Sequence, residues 1–163
     1  MMMLLEEIMD DLQDLSSSEL EEVHRVIKSY KGSLMKTKEG WNLHYYGRFI
    51  GIDQDENGRE FMRLGAFNEN TYGVTQGGAL YTFADVSIGK AILTNYLKDG
   101  EKVFTLEMKM NFIKGGTGEK LYAKTNFLHK GSTTIVAQCN IEDENEMLIA
   151  HALATFYIVK PKK

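Results

Sequence analysis

Two glycines and one aspartate have the clearest chemical use in this 163-residue chain. Gly77 and Gly78 close a loop, and the run that follows reads as a helix. A helix N-terminus presents about four unpaired backbone N–H groups and roughly half a unit of positive charge. Glycine there lets a ligand approach the backbone closely. Such a turn can hold an anion or polarise a carbonyl as an oxyanion hole. About two turns further on stands Asp85, which with Lys90 makes up all the charge between Gly77 and Ala91. Leu80, Phe83, Ala84, Ile88, Ala91 and Ile92 recur at helical intervals, so the helix is apolar around most of its circumference and belongs in an interior. A carboxylate in that setting is costly unless partnered, and it can act as general base or nucleophile. A carbonyl polariser plus a carboxylate is the minimum kit for acyl transfer. The plainer account is a tight glycine turn and an aspartate that caps or pairs with a neighbouring element. Residue types alone leave both accounts open.

Other chemistries lack their motifs. There is no Gly-x-Gly-x-x-Gly, no P-loop, no paired-cysteine metal spacing and no Gly-x-Ser-x-Gly elbow. His24, His44, His129 and His151 are scattered one per element. Cys139, between Ala137 and Ile141, reads as a small buried hydrophobe. The loop Asp53 to Gly58 imitates the start of a calcium-binding loop, but Leu64 stands where a bidentate Glu is required. No metal and no cofactor is expected.

The elements that must position Gly77 and Asp85 follow from periodicity. Leu4, Leu5, Ile8, Met9, Leu12 and Leu15 share one face of a first helix. Ser18 and Glu21 can form a capping box for a second, which would bury Leu20, Val23, Ile27 and Tyr30 and stop near Gly32. From Trp41 the texture turns to β, with strands expected over Asn42–Ile52 and Arg59–Ala66 around an Asn57-Gly58 hairpin turn. The helix from Gly77 to Leu97 would be about 30 Å long. Four more strands are expected, over Val103–Ile113, Leu121–His129, Thr133–Glu142 and Leu148–Val159, the last apolar on both faces and therefore central. Strict alternation in the first of these places Phe104, Leu106, Met108, Met110 and Phe112 on one face, and Thr105 with Glu107 and Lys109 on the other. One helix covers only part of one face of such a sheet; a partner subunit or the N-terminal helices could supply the missing layer, and at least a dimer is expected. The domain division is 1–32, a helical extension, and 33–163, the main body.

Composition bounds the rest. The chain is 43% hydrophobic and 26% charged with one proline, as in a single globular domain. No apolar run reaches the roughly 18 residues of a membrane span. The first residues resemble no signal peptide, and the single cysteine suits a reducing compartment, so a cytoplasmic location is expected. Net charge is −4, and eight of the 23 acidic residues fall within the first 30 positions against Arg25 and Lys28. No basic stripe offers itself to nucleic acid.

The run Asn70-x5-Gln76-Gly77-Gly78-x6-Asp85, followed by Ser87-x-Gly89-x-Ala91, resembles the signature of phenylacetic-acid-degradation-type acyl-CoA thioesterases. These belong to the hotdog-fold 4-hydroxybenzoyl-CoA thioesterase superfamily. The resemblance runs from about Trp41 to Lys160 and takes in the strand from Val103 to Phe112 and the turn at Gly131. It implies an α+β hotdog fold, a long central helix wrapped by an antiparallel sheet, here with an N-terminal helical extension. It also implies a homodimer or homotetramer with active sites between protomers, acting on an acyl-CoA or acyl-carrier-protein thioester. Carried over by position, the Gly77 N–H polarises the thioester carbonyl and Asn70 positions the reacting groups. Asp85 of the facing subunit attacks or activates water, and Thr105 holds that water. Gly78, Lys130, Gly131 and Ser132 contact the substrate, the last three near the coenzyme A phosphates. Most members carry His before the two glycines; here it is Gln76, which keeps hydrogen-bonding capacity but cannot be protonated. The alternative function is a non-catalytic acyl-CoA sensor. A dehydratase on hydroxyacyl thioesters would need a histidine near residues 70–91, where none stands.

Overall fold

The computed structural model describes residues 2–34 and 44–161. Two units emerge, Met1–Phe49 and Ile50–Lys163. In the first, α1 (Met2–Gln13) and α2 (Ser17–Leu34) meet at a serine turn. The capping box forms two residues earlier than Ser18 and Glu21 suggest. The Ser16 N–H donates to the Glu19 carboxylate at 2.8 Å, and the Glu19 N–H to Ser16 Oγ at 3.4 Å. Of three consecutive serines, the first satisfies the helix start, so the next two lie within α2. That helix also runs past Gly32 to Leu34. The strand expected over Asn42–Ile52 lies partly outside the described residues, and where described it is mostly not a strand. Tyr45–Phe49 is a short helix, α3, tied to α2 by Arg25, whose Nη1 donates to the Phe49 carbonyl at 2.6 Å. Tyr30 and Tyr45 meet edge to face with ring centres 5.7 Å apart. These contacts favour a helical turn over the extended form that the aromatic residues suggest.

The second unit is one antiparallel sheet with a helix on it. Its strands are β1 (Ile52–Gln54), β2 (Glu60–Arg63), β3 (Lys102–Phe112), β4 (Lys120–Lys130), β5 (Thr134–Glu142) and β6 (Leu148–Val159). They lie in the order β1-β2-β4-β5-β6-β3. The β1–β2 hairpin turns where Asn57-Gly58 predicts, with Gly58 at φ 77° and the Asp55 carboxylate accepting the Asn57 and Arg59 N–H groups at 3.0 and 2.8 Å. The helix α4 (Gly77–Asn95) buries Phe83, Ala84, Ile88 and Ile92 completely against the sheet. Ala150, Ala152 and Ala154 of β6 are fully buried, and their small side chains form a flat seat that lets α4 approach. β6 is paired on both sides, as its apolar run implies. β3 is the opposite case: it closes one edge of the sheet with Phe104, Leu106 and Phe112 each more than half exposed.

Two polar groups inside this layer are structural. Burial pushes the Cys139 thiol up to about 12, which closes thiolate chemistry to it. Glu60 pairs with Lys90 of α4 at 3.2 Å. Burial raises the Glu60 carboxyl above its usual range, outweighing the Ser87 and Lys90 contacts that favour its charged form. Between the unfolded and the raised value the folded state binds more protons, so stability falls as pH rises through that window. Glu60→Gln is neutral at every pH and should gain on the native protein across it. Urea unfolding below and above the window measures the difference; a parallel pH dependence of the two proteins would contradict it.

Candidate active site

The loop before α4 is built by two asparagines. Asn68 is buried, and its Nδ2 donates to the carbonyls of Ile50 and Arg63 at 2.9 and 2.7 Å. Its own carbonyl accepts the Gln76 N–H at 2.8 Å, which fixes where the helix begins. Asn70 Oδ1 accepts the N–H groups of Tyr72 and Val74 at 2.9 and 3.4 Å, leaving its Nδ2 as the donor group. Thr75 anchors the other side, its N–H and hydroxyl both meeting the Gly116 carbonyl.

Gln76 is the N-cap of α4. Its backbone is extended (φ −66°, ψ 134°), and its Oε1 accepts the Ala79 N–H at 3.0 Å. The position needs a hydrogen-bond acceptor, which an amide supplies without titrating. A Cβ on Gly78 would stand 2.8 Å from that oxygen, so glycine is what lets the cap fold over. With Ala79 and Leu80 bonded back to Gln76, the Gly77 and Gly78 N–H groups have no acceptor among the described residues. Gly77 and Asn70 line one open cleft of about 370 Å³, with Leu80, Phe112, Ile113 and Lys114 among its walls.

Asp85 has a partner. Thr105 Oγ1 donates to its Oδ1 at 2.6 Å. The face assigned to Thr105 by strict alternation is therefore wrong, and the cause is a β-bulge. Thr105 lies opposite Phe156 of β6, but Glu107 lies opposite Thr155, so Leu106 is an extra residue. Thr105 therefore shares the helix-facing side with Met108 and Met110, which lie opposite the buried Ala154 and Ala152. Glu107 points the other way and accepts the Thr155 hydroxyl at 2.6 Å. Phe104 lies opposite the exposed Tyr157, away from the helix.

Lys130, Gly131 and Ser132 form the β4–β5 turn, closed by the Gly131 N–H on the Thr134 carbonyl at 2.8 Å. Lys130 Nζ lies over the rings of Tyr96 and Phe127, at 4.4 and 5.3 Å. Tyr96 is the C-cap of α4, so this turn is at the far end of the helix from Gly77. At 1.5 Å per residue the two ends are about 28 Å apart, and one chain does not bring them together. Two residues passed unnoticed in the sequence. Asn68 carries no signal that separates it from other loop asparagines. Tyr81, whose hydroxyl donates to the Met108 carbonyl, stands four residues after Gly77 and four before Asp85, a spacing that marks the same helix face.

Residues 72–150 match the family profile of the Thioesterase superfamily. SSO2140 of Saccharolobus solfataricus, provisionally called an esterase, is 32% identical over 63% of this chain and 67% of its own length. The chain belongs to the thioesterase superfamily. The medium/long-chain acyl-CoA thioesterase YigI of Escherichia coli is 21% identical over 69% of this thioesterase and 84% of YigI. Among solved structures, BH2602 of Bacillus halodurans, crystallised with CoA, superposes with a TM-score of 0.77 at 20% identity. The overlap covers 93% of this chain and 99% of BH2602. The fold is the hotdog fold that the sequence resemblance implies, and the class of activity is thioester hydrolysis. No helix among the described residues is long and apolar enough to cross a membrane.

Proposed function

We propose that this thioesterase hydrolyses an acyl-CoA in a site shared by two subunits, with Gly77 supplied by one and Asp85 by the other. The observation that carries this reading is a distance. Gly77 and Asp85 lie eight residues apart on one face of α4, a separation of about 12 Å. A thioester carbonyl must accept a hydrogen bond from the one and be attacked within about 3–3.5 Å through the other. One chain cannot offer both to one carbonyl, whereas two chains can. The open β3 edge, long and carrying the exposed Phe104, Leu106 and Phe112, is the natural place for a second copy to add.

Each residue then has a role. The Gly77 N–H takes the charge that develops on the carbonyl oxygen. Asp85 acts as general base or nucleophile, and the Thr105 hydroxyl gives it a fixed orientation while its lone pairs accept from the incoming water. Asn70 Nδ2 steadies the thioester beside Gly77. Gln76 supports the turn as a cap and takes no part in proton transfer. Lys130, Gly131 and Ser132 contact the coenzyme A portion, as the sequence resemblance implies.

A panel of acyl- and aryl-CoA substrates tests the activity, with free thiol as the readout. Tight binding of every thioester without turnover would replace this reading with that of a sensor. Gly77→Pro tests the polariser. Proline is at home in the first turn of a helix, and its predecessor Gln76 is already extended. The substitution removes the N–H and moves the Phe112 ring, 3.3 Å from the new Cβ, only slightly. Turnover should fall about 100-fold in a folded protein.

A further inference from the structure

Among the described residues, three contacts between α4 and the edge strand β3 are evenly spaced along the helix. Gly77 lies against the Phe112 ring, Tyr81 donates to the Met108 carbonyl, and Asp85 accepts from Thr105. On the helix the three residues are four apart, on one face. On the strand, Thr105, Met108 and Phe112 lie opposite Phe156, Ala154 and Ala150, so Met108 stands nearer Thr105 than Phe112. The strand itself, Lys102–Phe112, is centred at Glu107, next to Met108.

A two-fold interface is self-complementary: if residue i of one copy meets residue j of the other, then j meets i. The shared site proposed above sets Gly77 against Asp85 of a second copy, and this inference rests on that reading. The helix residue midway between them must then lie on the axis. That residue is Tyr81, and its hydroxyl is bonded to Met108, next to the centre of the edge strand. The edge strand, pairing with itself about its centre, calls for an axis at the same place.

We infer that Tyr81 sits on the two-fold axis of the dimer, where it meets its own copy and forms the common wall of the two thioester sites. Tyr81 is one helical turn, about 6 Å, from Gly77 and from Asp85 on its own helix. It is 38% exposed, a large side chain with one face open. Its ring therefore bounds the space beside each reacting carbonyl, and it is a specificity-determining residue for the acyl group.

The test is a self-crosslink. Tyr81→Cys adds one accessible thiol, because the native Cys139 is fully buried. A bis-maleimide spanning about 10 Å, near the separation of packed helix axes, should convert it to a covalent dimer. Leu93→Cys, also on α4 and exposed but about 18 Å further along, should remain uncoupled at the same concentration. Tyr81→Ala should raise kcat/KM for the bulkiest acyl-CoA relative to the smallest by about tenfold or more, while Tyr81→Phe keeps the native preference. If Tyr81→Cys stays uncoupled in a protein that sediments as a dimer and hydrolyses thioesters, the axis is elsewhere and only this inference fails. An unchanged substrate ratio in a folded Tyr81→Ala dimer overturns the wall. An active monomer overturns this inference and the shared site together.

Discussion

Asp85→Asn is expected to lower thioester hydrolysis by about 1,000-fold or more while leaving the protein folded and its affinity for acyl-CoA little changed. Asparagine keeps the shape and an acceptor for the Thr105 hydroxyl, so the contact between α4 and β3 survives. What it loses is basicity and nucleophilicity. Asp85 is only partly buried, unlike its neighbours Phe83, Ala84 and Ile88, and asparagine fills the same space, so the change leaves no cavity. Circular dichroism and unfolding curves should overlay those of the native protein. Single-turnover assays with the best substrate from the panel measure the loss. Near-native turnover would remove Asp85 from the chemistry and leave it a strand-to-helix tie.

Some signals survive from sequence to structure and others do not. Periodicity placed α4 and the last four strands to within a few residues, because each is long and each buries one face against the same layer. Short elements were less legible. Tyr45–Phe49 has the aromatic texture of a strand, but Arg25 on α2 caps it as a helix, and that contact is invisible in the local sequence. Thr105 is the most instructive residue. A single extra residue at Leu106 reverses the facing of everything before it, and no residue type announces a bulge there. The alternation in that strand is real on the Met108 side and fails on the Phe104 side. The helix face carrying Gly77, Tyr81 and Asp85 was fully legible by counting fours. It went unread because tyrosine in an apolar helix looks like core.

Gln76 is clarified by its surroundings. The departure from the usual histidine looks like a loss of acid–base capacity when only the motif is considered. In the structure the side chain faces back onto Ala79 and closes the first turn. Removing the acceptor, not the missing charge, is what would disturb Gly77. The two glycines then divide the work: Gly78 makes room for the cap, and Gly77 keeps its N–H for the ligand.

Two inactive variants should restore each other. A mixed dimer of Asp85→Asn and Gly77→Pro subunits, purified through two different tags, contains one site with both defects and one with neither. The intact site pairs Gly77 of the Asp85→Asn chain with Asp85 of the Gly77→Pro chain. Turnover per dimer should therefore rise from about 1% or less in either parent to about half of the native value. If instead Gly77 and Asp85 of the same chain worked together, each chain of the mixed dimer would carry one lesion in its own site, and activity would stay at the parental level. The contrast does not depend on which acyl group is preferred or on whether Asp85 is base or nucleophile. It depends only on the 12 Å or so that eight helical residues put between the two groups, a distance one carbonyl cannot span and a two-fold axis removes.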